Sequence, residues 1–321
     1  MKRAQPFPCC PALLIFLSVI SWQRVTVAAQ KEGASIPIID THIHLYDTTR
    51  PEGLPWPPPT DKVLYRPVLP ADFDKICRDN QITATVVVEA SEWLNDNRWV
   101  LDLVKHQPKR YIGLVGSLEV GTPEFSSHLK TLSRDPRFVG IRLRERPRGE
   151  RFFNEEVWRD LKLMADRDQT LDVLMFNFSL TDIDLMAKTV PQLKILINHV
   201  AGADIDGKAV NPQWAQALRQ AATHPNVYCK VSGLFQQSHR RPSPTNTDFY
   251  RPVLNELWKV FGEDRLVYGS NWPVTMHGGS YAAYKRIVIE YFTPKGTTAL
   301  EKLLYRNALK FYGLPDLKLG D

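Results

Sequence analysis

The sequence predicts an α/β chain folded as a single (β/α)8 barrel, and three features carry that reading. Eight short apolar runs can be counted, each followed by a stretch with apolar residues at helical spacing. The runs are apolar nearly throughout instead of alternating, which is the pattern of parallel strands covered on both faces. All eight units fit within residues 30–321, a length that suits such a barrel. A doubly wound open sheet is the alternative, but the first strand lacks the glycine-rich phosphate-binding turn that fold uses.

The chain opens with a tripartite segment. Lys2 and Arg3 are basic, residues 12–20 (ALLIFLSVI) are apolar, and Val27-Ala28-Ala29 offers small residues for cleavage. Residues 1–29 are therefore expected to be a signal peptide, residues 30–321 the barrel domain, and the mature protein secreted or periplasmic. The apolar run falls short of the roughly 20 residues a membrane span needs, so no stable membrane insertion is expected after cleavage.

In order, Ile36, Ile38 and Ile39 read as the first buried strand, running into Asp40-Thr41-His42-Ile43-His44. By strand alternation Asp40, His42 and His44 should share a face, with both histidines just past the strand. Residues 47–70 are proline-rich and cannot be helix or inner strand. The aromatics Tyr46, Trp56 and Tyr65 suggest a stiff loop folded over a site. Strands are then predicted over 83–90, 111–118, 138–143, 171–176, 194–199, 227–231 and 265–270. Helices are predicted over 71–81, 95–106, 123–133, 154–167, 181–189, 212–223, 248–261, 281–291 and 298–311.

The formal charge of +6 falls to about +3 when Lys2, Arg3 and Arg24 are removed with the signal segment. That is too mild for a nucleic-acid or anionic-membrane partner, and no P-loop or dinucleotide glycine pattern occurs. Only Cys77 and Cys229 remain in the mature chain, which is no disulfide framework; Cys229 reads as a small buried hydrophobe.

In such a barrel the chemistry lies at the C-terminal ends of the strands. Polar residues recur there: His42 and His44 after strand one, Glu89 at the end of strand two, Glu119 after strand three, Arg142 and Arg144 on strand four. His199 ends strand six, Lys230 and Ser232 strand seven, and Asn271 strand eight. Titratable groups are costly inside a barrel unless paired or functional. Arg142 pairing with Glu89 or Glu119, and Lys230 as a structural counter-ion, are the competing structural readings.

IDTHIHL, KILINHVAG, VYCKVSGL and LVYGSNWPV, in that order, resemble the amidohydrolase-related TIM-barrel hydrolases, above all their lactonase branch of sugar-acid and pyrone-dicarboxylate lactonases. The resemblance implies a hydrolase that opens a lactone of a sugar acid or other small carboxylic acid by water attack. It implies that His42, His44 and His199 hold a divalent metal (zinc or manganese) or the substrate, and that Arg142 and Lys230 hold anionic or polar substrate groups. Trp56 and Trp272 could wall a sugar-like ring. Asn271 stands where relatives carry an aspartate that binds metal and acts as base, and an amide does neither well. Metal binding is therefore expected to be weak or absent, and a base is to be sought among Glu89, His199 and His277. A metal-dependent C–N hydrolase or decarboxylase and a non-catalytic sugar-acid-binding barrel are the alternatives. The partner expected is a small molecule; the sequence sets no oligomeric state.

Overall fold

The computed structural model describes Met1, residues 36–144 and residues 152–317, so the remainder of the expected signal segment lies outside the described residues. The chain divides into two units, and the barrel is the second, Ile36–Asp321. Its strands are β1 (Ile39–Ile43), β2 (Ala84–Val88), β3 (Tyr111–Gly116), β4 (Phe138–Leu143), β5 (Thr170–Val173), β6 (Ile195–Ile197), β7 (Val227–Val231) and β8 (Leu266–Tyr268). They follow one another around a single sheet in sequence order, each pair parallel. Just past β8 the chain returns to β1: Asn271 N–H donates to His42 O at 2.8 Å and His44 N–H to Trp272 O at 2.9 Å. The result is a nearly closed barrel of eight parallel strands, consistent with the (β/α)8 architecture.

The helices are α1 (Pro70–Asn80), α2 (Leu94–Leu103), α3 (Phe125–Leu132), α4 (Glu155–Ala165), α5 (Leu180–Thr189), α6 (Pro212–Ala221), α7 (Leu234–Gln237), α8 (Arg251–Phe261), α9 (Tyr281–Phe292), α10 (Thr297–Glu301) and α11 (Asn307–Tyr312). Their apolar stripes face the sheet. On α4, Val157, Leu161 and Met164 are buried, and the Asn154 side chain caps the helix by accepting from Val157 N–H at 2.9 Å. The barrel interior is closed from beneath by α11. Phe311 and Tyr312 pack with Ile39, Val86, Leu196 and Val267 in one buried cluster.

Several boundaries differ from the sequence reading. β1 begins at Ile39, so His42 lies within it, and its pairing with β2 shifts register between Asp40 and Ile43. Simple alternation therefore fails for Asp40. Its carboxylate accepts from Ser270 N–H (2.9 Å), His42 N–H (3.1 Å) and Tyr281 O–H (2.8 Å), tying β1 to the chain after β8 and to α9. β5 stops at Val173, and Phe176, expected in that strand, is 88% exposed. Residues 298–311 are broken into α10, a π-helical stretch Lys302–Arg306 and α11. The proline-rich loop is pinned at its base by an antiparallel bridge between Tyr46 and Val68, with Tyr46 O–H donating to Leu64 O at 2.9 Å. Cys77 and Cys229 are both free and buried.

Candidate active site

β1 and the turn after β6 bring three imidazoles together, and the turn after β8 adds Asn271. The His42 ring lies 5.0 Å from that of His44 and 4.5 Å from that of His199, centroid to centroid. His42 and His44 are buried, whereas His199 is partly exposed. His199 does not end a strand as expected; it opens the turn His199–Gly202. His199, Val200 and Ala201 are three consecutive non-glycine residues with φ of 51°, 46° and 56°, and Asn271 has φ 60°. Each such residue carries a strain of about 1–3 kcal/mol, which marks a geometry the surrounding fold imposes. Two glycines make room for it. A Cβ at Gly233 would lie 2.8 Å from His199 Cβ, and one at Gly269 would lie 2.9 Å from His42 Cβ.

Each ring is oriented by its neighbours. His44 Nδ1 faces two carbonyls, Val88 O at 3.0 Å and Glu89 O at 3.1 Å, so it carries the proton. Its Nε2 is then an acceptor, 3.2 Å from Asn271 Oδ1. The two groups are complementary when the amide turns its NH2 toward the ring. His199 Nδ1 lies 2.9 Å from Ser232 Oγ, which also accepts from His199 backbone N–H at 3.1 Å. His42 Nδ1 sits 3.4 Å from Lys230 Nζ, and His42 Nε2 is buried without a partner among the described residues.

Burial is the first cause of the electrostatics here. It lowers His42 and His199 well below the usual histidine range, helped by the Lys230 and Arg142 cations. It lowers His44 to about 3, with Arg142 adding to the effect and the Val88, Asn271 and Glu89 hydrogen bonds opposing it. All three rings are therefore neutral at pH 7.

The two cations beside them are both neutralised from within the protein. Arg142 Nε and Nη2 each reach Glu89 Oε1 at 2.7 Å, and Nη2 also donates to Glu89 O at 2.9 Å. Arg144 reaches Glu89 Oε2 and Glu92 Oε2, each at 3.3 Å. Lys230, fully buried, pairs with Asp172 at 2.7 Å. Each of the two residues expected to hold substrate anions thus meets a carboxylate of the protein itself, and Lys230, like His42, is 0% exposed. Glu89, although raised by burial, has both oxygens engaged by arginine and is poorly placed as a base.

Trp272 is 1% exposed, and its ring packs 5.2 Å from that of Phe73 of α1. Trp56, by contrast, sits on the proline-rich loop with its ring 5.4 Å from that of His44. His277 is held by Asp61 of the same loop at 2.9 Å. Glu119 is exposed, and Thr122 Oγ1 donates to its backbone carbonyl. Arg151 and the charged residues before it, from position 145, lie outside the described residues. The sequence reading missed Asp172 and Tyr312. A charge in the middle of the apolar run of β5 was a usable signal for the first; nothing local marks the second.

The chain matches the amidohydrolase family over residues 39–314. The chain belongs to that family. As an amidohydrolase it is a hydrolase, and its relatives fall on the lactonase-like side. An L-fucono-1,5-lactonase from Burkholderia ambifaria is 29% identical over 248 residues, 77% of this chain and 83% of the relative. Among solved structures, an amidohydrolase from Burkholderia multivorans with bound zinc superposes with a TM-score of 0.77 at 23% identity, covering 87% of this chain and 100% of that one. A protein described as a probable 2-pyrone-4,6-dicarboxylic acid hydrolase from Acinetobacter baumannii, with citric acid bound, gives 0.68 at 17% identity, covering 86% and 99%. These structures share the fold.

Whether this amidohydrolase's residues suit a divalent ion can be judged from its donors. Among the described residues no group of three His, Cys, Asp or Glu side chains is set to hold one. The carboxylates beside the site, Glu89 and Asp172, already serve Arg142 and Lys230, and the Asp40 carboxylate is taken up by Ser270, Tyr281 and the His42 backbone N–H. The last-strand donor is the Asn271 amide, and two cations stand close by. Taken together, these donors do not fit a resident divalent metal.

Proposed function

We propose that this amidohydrolase opens a neutral, hydroxylated lactone, of the sugar-acid class, by direct water attack. The observation that carries the reading is the pairing of every described cation beside the histidines with an internal carboxylate. A dicarboxylate substrate calls for free positive charge, while a sugar lactone calls for hydrogen bonds and an aromatic face. Trp56, over His44, supplies the face.

In the reaction, His42 Nε2 and its surroundings hold the lactone carbonyl oxygen as it gains negative charge. His199, the partly exposed residue of the three, accepts a proton from the attacking water, with Ser232 fixing its orientation. A base lowered by burial is a weak one. A lactone tolerates that better than an amide, because its leaving oxygen needs less help than a leaving nitrogen. Burial, with Arg142 adding to it, keeps the imidazoles neutral and thus able to accept or donate a single proton.

The test is a turnover panel of L-fucono-1,5-lactone, other neutral aldonolactones, 2-pyrone-4,6-dicarboxylate and an N-acyl amide. The expected order places the neutral lactones first. His199→Ala should lower kcat about 10²–10⁴-fold, the range for loss of a general base. Preference for the dicarboxylate or the amide, or binding of a lactone without turnover, would defeat the proposal.

A further inference from the structure

His42 is backed by a set of buried polar side chains that its own chemistry does not require. Lys230 Nζ has three neighbours that can accept: Asp172 Oδ2 at 2.7 Å, Thr41 O at 2.8 Å and His42 Nδ1 at 3.4 Å. An ammonium has three N–H donors, one for each. Asp172 is itself held by Asn198 Nδ2 at 2.8 Å and by Tyr312 O–H, from α11, at 2.9 Å. Lys230, Asp172 and Asn198 are fully buried.

Stability does not account for this set. Replacing a buried ion pair by apolar residues of similar volume is often neutral or stabilising, so such a pair persists for some other reason. The fold also makes way for it. A side chain at Gly269 would press on both His42 Cβ, at 2.9 Å, and Lys230 Cδ, at 3.1 Å. The close approach of ammonium to imidazole therefore depends on glycine at that position.

We propose that the Lys230–Asp172 pair is a positioning unit that fixes the tautomer of His42. Donation by Lys230 makes His42 Nδ1 an acceptor. The single proton of the neutral ring must then sit on Nε2, the buried atom with no partner among the described residues. The site thus presents an N–H donor, set by a side chain that never touches the substrate. Tyr312 and Asn198 hold Asp172, Asp172 holds Lys230, and Lys230 holds the ring. The meaning of that donor, a partner for developing negative charge on the lactone oxygen, rests on the function proposed above; the tautomer itself does not.

The experiment is a two-bond ¹H–¹⁵N correlation on ¹⁵N-histidine-labelled protein, with His42 assigned by its loss in His42→Gln. Wild type should show His42 with an unprotonated Nδ1 and a protonated Nε2. The charge-balanced pair Lys230→Met with Asp172→Asn should exchange the two or leave them mixed. It should also lower kcat on L-fucono-1,5-lactone about 10²-fold, the scale for loss of one oxyanion donor, with KM little changed. A wild-type spectrum showing a proton on His42 Nδ1 overturns the proposal, and it does so without any variant having to fold. A folded double variant that keeps the native tautomer and the native kcat overturns it equally. The native tautomer in a protein that turns over no lactone would remove the proposed function and leave this inference standing.

Discussion

Glu89→Gln separates the charge of Arg142 from its neutralising partner while keeping nearly the same shape. In the native protein the two side chains are 6% and 4% exposed and meet at 2.7 Å. Removing one member of such a pair leaves a buried charge uncompensated, at a cost of about 3–5 kcal/mol. For a domain of this size that corresponds to a fall in Tm of roughly 6–20 °C. The functional consequence runs the other way. A free guanidinium about 8 Å from a substrate carboxylate, at an effective dielectric near 20, attracts it by about 2 kcal/mol. That is roughly thirtyfold in affinity. Calorimetry gives the first number. The ratio of kcat/KM for 2-pyrone-4,6-dicarboxylate to that for L-fucono-1,5-lactone, wild type against variant, gives the second. The ratio should rise about thirtyfold from a low native value. If wild type already prefers the dicarboxylate, or if Tm falls while the ratio does not move, internal neutralisation does not set the substrate class.

Four further outcomes are expected. Stability should be complete above about pH 6.5 and decline as pH falls toward about 3, because unfolded chains protonate His44 near 6.5 while the folded protein holds it at about 3. His42 and His199 act in the same direction, and Glu89 and Asp40, raised by burial, partly oppose them in the carboxylate range; thermal melts across that pH range check it. Asn271→Asp should set a carboxylate against the bare Nε2 of His44, 3.2 Å away, a clash that a proton or a zinc ion relieves; metal stoichiometry by atomic emission should rise, and a decrease would refute the account. Gly233→Ala, at φ +70° with its Cβ against His199, should cost a few kcal/mol by denaturant titration and cut turnover disproportionately. Mass spectrometry of protein from its native host should find a chain beginning near Gln30; a mature pool with Met1 intact would show that the segment is not removed.

Much of the fold was legible because parallel strands buried on both faces must be apolar, and polar residues then announce the strand ends. That logic found His42, His44, His199, Lys230 and Asn271 together. It failed where the backbone leaves the regular pattern. A register shift in β1 set the Asp40 carboxylate against Ser270, Tyr281 and the His42 backbone N–H, and a left-handed run at His199–Ala201 replaced a strand end. Neither has a local residue signature, since the residues involved are neither glycine nor asparagine in the turn after β6. Trp272 misled for a related reason. Its neighbour Asn271 adopts φ 60°, and the indole ends against Phe73. Tyr312 was out of reach because its partner Asp172 lies 140 positions away, joined to it only when α11 closes the barrel.

The location of a charge at a strand end thus says where the site is but not what the charge does there. Arg142 and Lys230 both carry the signature of substrate anchors, yet each is paired with a carboxylate of the protein itself. Their effect on the site is indirect. Both add to burial in keeping His42 and His199 neutral, Arg142 does the same for His44, and Lys230 is near enough to choose which nitrogen of His42 holds its proton. A site built this way has hydrogen-bond donors and acceptors at its centre and net charge only in its walls. Such a site can stabilise charge that appears during a reaction while offering little to charge that is present beforehand. For the neutral lactone proposed as substrate that distinction is useful: its uncharged ground state would be bound loosely, while the tetrahedral oxyanion would meet donors already in place.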